Sequence, residues 1–148
     1  MSEDADLIRL TYVSAHELPT DASGFNMAFA DIEQVASKAN AGAGITGFLV
    51  CARRWFAQVI EGPSAAIDAL YAKLGADPRH HSLRLVERAV ITRRHFPDWH
   101  LALGYAAPST SMVFAVLDFS IDEIPGPDAD DRLLDLATDL AAIKRVVT

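Results

Sequence analysis

Three polar side chains stand out because their surroundings are apolar. In LIRLTYV (Leu7 to Val13) strand alternation puts Ile8, Leu10 and Tyr12 on one face, and in WFAQVIEG (Trp55 to Gly62) it puts Phe56, Gln58 and Ile60 on one face. If the two strands are neighbours, a phenol and a carboxamide meet in an otherwise apolar slot. Two readings are open. The pair can satisfy each other or the backbone, because a buried polar group left without a partner costs about 1–3 kcal/mol. Alternatively, they line a ligand site. Asn40, at the end of a predicted helix and beside Gly42 and Gly44, brings a third amide toward the same slot. Hydroxyl and amide groups converging between apolar walls suit a flat heteroaromatic ligand with imide edges, with Ile32 and Leu74 placed to sandwich its ring. No charged acid/base pair points there, so hydrolytic chemistry is poorly served.

Other chemistry-bearing residues give weaker patterns. His80 and His81 are adjacent and point in different directions, and with a single cysteine the chain has no metal-ligand spacing. Cys51 sits in an apolar strand and reads as core. Neither a P-loop nor GxGxxG occurs. Glu61, before Gly62, reads as a turn or strand-end residue. Arg93 and Arg94, beside His95, read as a solvated strand terminus. Trp99 is compatible with both the core and the slot.

The elements that must hold these groups follow from periodicity. A first strand spans Leu7 to Val13. From Asn26 to Asn40, Phe29, Ile32, Val35, Ala36 and Ala39 recur at helical spacing. Strands are expected over Ile45 to Ala52 and Trp55 to Gly62, joined through Arg53 and Arg54, a tight hairpin with poor turn chemistry. Ser64 is a candidate N-cap for a second helix burying Ile67, Leu70, Tyr71 and Leu74. A long strand is predicted over Leu83 to Arg94 and a short fifth from His100 to Gly104. The order β-α-β-β-α-β with an added strand defines an α+β, ferredoxin-like arrangement, an antiparallel-rich sheet with two helices on one face. SMVFAVLDF and an amphipathic helix over Asp128 to Val146, acidic at its start and basic at its end, can cover the other face as a helical cap.

Bulk properties narrow the class. The chain has 148 residues, 51% hydrophobic and 22% charged, which is globular composition. A net charge of -7 argues against nucleic-acid binding, which rests on Lys and Arg. No apolar run approaches the roughly 18 residues that span a bilayer. The acidic start MSEDADLIRL is unlike an export signal, and one cysteine suits a reducing cytoplasm.

From Leu7 to Tyr105 the chain resembles the BLUF domains, flavin-based blue-light sensors. The matching segments are RLTYVS (Arg9 to Ser14), NAGAGITGFL (Asn40 to Leu49), FAQVIEGP (Phe56 to Pro63), LGADPRHH (Leu74 to His81) and RRHFPDWH (Arg93 to His100), in the family's order. The resemblance implies residues 1–105 as photosensor and 106–148 as a C-terminal extension. It implies FAD as cofactor, with FMN an alternative, held between the helices carrying Ile32 and Leu74. Tyr12 becomes the light-driven electron and proton donor, Gln58 the switch touching both the Tyr12 hydroxyl and the flavin N5/O4 edge, and Asn40 the partner of the flavin carbonyl and N3 edge. Lys73, Asp77, Arg79 and His80 fall at further flavin-contacting or supporting positions. Ala39 replaces the first of two asparagines frequent in the family, and Leu101 stands where methionine is common.

The implied protein is a photoreceptor and not a turnover enzyme. Its signal is expected to go to a separate downstream protein or into a change of oligomeric state, and a homo-oligomer is expected because the sheet leaves apolar surface partly covered. Two rivals are a ferredoxin-like acyl-phosphate hydrolase, against which AGAG offers no Lys or Arg to cradle phosphate, and a flavin-free dimeric regulatory module.

Overall fold

The structure is a computed structural model. It describes residues 6–18, 21, 23, 24, 27, 28, 30, 31, 42–77, 80–96, 101–104, 112, 114–120 and 122–147, with backbone alone at 80, 101–104, 141 and 143–147. Five strands form one sheet: β1 (Leu7–His16), β2 (Thr46–Cys51), β3 (Trp55–Pro63), β4 (His80–Val90) and β5 (Leu101–Gly104), in the order β4-β1-β3-β2-β5. All pairings are antiparallel except β2 with β5, which is parallel. Helix α1 (Ser64–Gly75) lies on one face. A 3₁₀ turn (Pro127–Ala129) leads into helix α2 (Asp130–Val147), which packs on the other. The ferredoxin-like expectation holds. Of the first predicted helix, residues 27, 28, 30 and 31 are helical, while 32–41, including Ile32 and Asn40, lie outside the described residues.

Each central strand is apolar on both faces. Under α1, Ile8, Leu10, Tyr12, Ile45 and Ile60 pack with Ile67, and the half-buried Leu70, Tyr71 and Leu74 close over them. Under α2, Val13, Phe48, Val50, Trp55, Ala57 and Val59 meet Phe96, Phe114, Phe119, Leu133, Leu136 and Leu140. SMVFAVLDF thus contributes Phe114 and Phe119 to that core. The Trp55 ring stacks on Phe114 at 5.7 Å, and its indole N–H donates to the Ser120 carbonyl at 2.8 Å.

Two glycines are dictated by their surroundings. Gly44 has φ +71, which side chains rarely adopt. At Gly47 a Cβ would fall 2.1 Å from the Val59 carbonyl oxygen, so no larger residue fits against β3.

Several expectations need correction. β1 runs on to His16, whose N–H donates to the Arg54 carbonyl at 3.0 Å. Ser64 is the first helical residue and not the N-cap: Pro63, with φ −59, holds that position, and the Ser64 N–H donates to the Asp6 carbonyl at 3.0 Å. β4 spans His80–Val90 and not Leu83 to Arg94. Its register against β1 shifts at Thr11/Tyr12 and again between Val13 and Ala15, where Ser82 takes φ 57; these bulges break the alternation that sequence reading relies on. At its other end β4 stops close to where β1 begins: Ile91 N–H still reaches the Leu7 carbonyl at 2.9 Å. The Arg53–Arg54 hairpin forms without positive φ at either residue. The Arg53 guanidinium grips Asp122 at 2.5 and 2.6 Å, and that hydrogen bond lowers the Asp122 pKa.

Candidate functional site

Tyr12 and Gln58 stand directly opposite each other in the β1–β3 ladder. Both side chains rise on the α1 face, where the neighbouring pair is Leu10 and Ile60. The Tyr12 hydroxyl donates to Gln58 Oε1 at 2.7 Å, and both groups are buried, 2% and 5% exposed. The alternation of two strands therefore produces the convergence expected from sequence.

Burial makes the phenolate expensive. It raises the Tyr12 pKa well above the ordinary 10.0, with Asp77 and Tyr71 adding to the rise. Tyr12 is thus held as a neutral hydroxyl donor. The Tyr71 ring stands edge-on to it at 6.2 Å, and burial also raises the Tyr71 pKa. Gln58 uses its carbonyl for Tyr12, so its NH₂ group remains available as a donor; no bond from it to another described residue is formed. A buried amide donor of this kind fits a ligand presenting acceptors at its edge.

The other predicted residues divide. Leu74 is half-buried on the α1 side of the slot, packed against its apolar cluster. Asp77 follows the helix, its N–H donating to the Leu74 carbonyl at 3.2 Å, near enough to act on Tyr12. Lys73 is exposed in the last turn of α1. His80 opens β4 opposite His16, and Leu101 opens β5 opposite Phe48, each described by backbone alone. Ile32, Asn40, Arg79 and Trp99 lie outside the described residues. A cleft of about 250 Å³ lined by Thr11, Val86, Glu87, Asp130, Asp131 and Leu134 sits on the opposite, α2 side of the sheet, away from this slot.

His16 and Cys51 extend the α1 face toward the hairpin. Leu18 N–H donates to His16 Nδ1 at 3.2 Å, so Nε2 carries the proton and donates to the Ala52 carbonyl at 2.7 Å. Cys51 is buried core, as expected, and burial raises its pKa well above 9.0.

Two residues differ from their sequence reading. Glu61 is fully buried, not a strand-end residue: its carboxylate accepts the Phe96 N–H at 2.6 Å and the His95 N–H at 3.0 Å, with Arg9 at 3.8 Å. Arg94 is half-buried and anchored, not a free solvated end. It donates to Thr46 Oγ1, the Glu61 carbonyl and the Gly44 carbonyl at 2.7, 2.8 and 2.7 Å. Glu61 had one signal in the sequence, a carboxylate on the α2-facing parity of a strand apolar at Trp55, Ala57 and Val59.

Among the described residues, no group of three or more His, Cys, Asp or Glu could hold a metal ion. Nor, among them, is any helix long and apolar enough to cross a membrane.

A ferredoxin-like sheet with a tyrosine–glutamine pair buried under one helix now has its relatives. The profile described as "BLUF: Sensors of blue-light using FAD" matches residues 7–102, and the chain belongs to that family of blue-light photoreceptors. It is 36% identical over 98 residues to photoactivated adenylate cyclase subunit alpha of Euglena gracilis and 35% identical over 100 residues to the beta subunit of Euglena longa. These matches cover 66% and 68% of this chain but 9% and 11% of those proteins. Among solved structures, the BLUF protein BlrB in its dark state is 33% identical, with a TM-score of 0.60 over 96% of this chain and 95% of that one. Photo-activated BlsA, at 20% identity, shares the fold with a TM-score of 0.69 over 91% and 94% of the two chains.

Proposed function

We propose that Tyr12 and Gln58 are the light-responsive pair of this photoreceptor, beside an FAD held over the α1 face. The observation that carries the proposal is the buried 2.7 Å hydrogen bond from Tyr12 to Gln58, with the Gln58 NH₂ group left to donate elsewhere. Leu74 forms part of the apolar wall, and Asp77 borders it. We assign Ile32, Asn40, Lys73, Arg79 and His80 to the remaining cofactor contacts, and Trp99 and Leu101 to supporting places in the photocycle, on the sequence resemblance. Bound FAD supplies the blue-absorbing chromophore and, once excited, a strong one-electron oxidant; FMN offers the same ring.

The chain's own contribution is control of one proton and one amide. Tyr12 keeps its proton on Oη because burial penalises the phenolate. Gln58 has two arrangements toward Tyr12, accepting through Oε1 or, turned over, donating through Nε2. The second reverses every bond the amide makes. In a low-dielectric slot such a reversal is a discrete step and not a graded one. Among the described residues the slot presents a phenol and an amide, groups that suit a sensor better than turnover. We assign residues 1–105 to the sensor and 106–148 to an extension. The signal passes to an unidentified partner protein or into self-association, in the cytoplasm and without nucleic acid or membrane. The acyl-phosphate hydrolase and flavin-free module readings lack an observation in their favour.

The test is an absorption spectrum of the FAD-loaded chain before and after blue light. A reversible red shift is expected, and Tyr12→Phe should keep the flavin bound and lose the shift. A normal shift in Tyr12→Phe would remove Tyr12 from the photocycle.

A further inference from the structure

Glu61 lies three residues beyond Gln58 on β3, and the ladders to β1 and β2 run through that interval without a register shift. Its carboxylate is wholly buried and spends both oxygens on one short segment, accepting from Phe96 N–H and His95 N–H. Arg94 ties the same segment to Thr46 at the start of β2, to Glu61 of β3 and to Gly44 just before β2, so four hydrogen bonds fasten residues 94–96 to those strands and a fifth reaches Gly44. The segment then reaches the C-terminal helix. Thr138 Oγ1 donates to the Leu134 carbonyl at 2.6 Å, which leaves its lone pair to accept from His95 Nε2–H at 2.9 Å. Phe96, buried beside Phe48 at 6.3 Å between centroids, joins the core under α2.

We propose that Glu61 is the positioning residue that couples β3, the strand of Gln58, to α2 through the 94–96 segment and the His95–Thr138 contact. The inference rests on the Tyr12–Gln58 reading above. Charge-assisted bonds to two consecutive backbone N–H groups are strong and directional. A small displacement of β3 is therefore handed to the segment instead of being absorbed by side-chain rotation. Arg9, at 3.8 Å, balances the buried charge from β1. A glutamine at 61 keeps the shape but turns an NH₂ group toward one of the two backbone donors, so one of the paired bonds is lost.

The experiment uses the whole FAD-loaded chain and two readouts, the light-induced absorption shift and amide hydrogen exchange over residues 130–147 in dark and light. Wild type should show the shift together with a light-dependent change in α2 exchange. Glu61→Gln should keep the shift and lose that change. Thr138→Val, which leaves the buried carboxylate in place, should do the same and decides the matter if Glu61→Gln fails to fold. An unchanged light response of α2 in either variant, or a wild type that shifts its spectrum without any response in α2, would overturn the coupling alone. A wild type with no red shift would overturn the photocycle reading and the coupling with it.

Discussion

The two faces of the sheet are built from the same strands and do opposite jobs. Toward α2, Val13, Trp55, Ala57 and Val59 enter an aromatic core with Phe96, Phe114 and Phe119. Toward α1, the intervening Tyr12 and Gln58 place a polar pair among Ile8, Leu10, Ile60 and Ile67. One strand step separates a group that must stay fixed from one proposed to rearrange. The stiff face gives the polar pair a reference: a hydrogen bond can change on one side while the backbone is held by packing on the other.

Breaking the stiff face should give the largest effect. Trp55→Ala removes the ring stacked on Phe114 and the bond to Ser120, and is expected to lower stability by about 3–5 kcal/mol in urea unfolding. Gln58→Leu sharpens the contrast by removing the carboxamide from the α1 face. It removes the acceptor of the buried Tyr12 bond, which should lower stability by about 1–3 kcal/mol and remove the light-induced shift. A spectrum that still shifts would show that the carboxamide is dispensable.

Alkaline titration probes the same face without mutation. The folded Tyr12 pKa is raised, so the unfolded chain loses that proton first, near the ordinary 10.0. Its stabilising contribution is complete below pH 10 and is lost as pH climbs through the folded value. Unfolding midpoints should fall above pH 10, and less so in Tyr12→Phe. Smallest of all, Arg88→Ala breaks a half-exposed pair with Asp68 outside both cores and should change stability by at most about 1 kcal/mol.

How much of this was legible in the sequence follows the range of the interactions. Strand alternation is local, so the shared face of Ile8, Leu10 and Tyr12 could be read directly, as could that of Phe56, Gln58 and Ile60. The inward-facing stripe Ile67, Leu70, Tyr71 and Leu74 was equally plain. What failed depended on distant partners. Arg94 looks solvated until Gly44, Thr46 and Glu61 are brought beside it, and Glu61 looks terminal until the 95–96 backbone folds over it. Ser64 has the composition of a cap, but Pro63 already sets the entry angle. The beginning of β4 was hidden by its own irregularity at Ser82.

That irregularity has a further result. β4 lies at the rim of the sheet, and a regular rim invites another molecule to add a strand, the first move toward a fibril. With its spacing interrupted twice against β1, this rim is twisted and unevenly spaced, a poor template for backbone recruitment. That route to aggregation is blocked in backbone geometry alone, whatever the side chains along the rim.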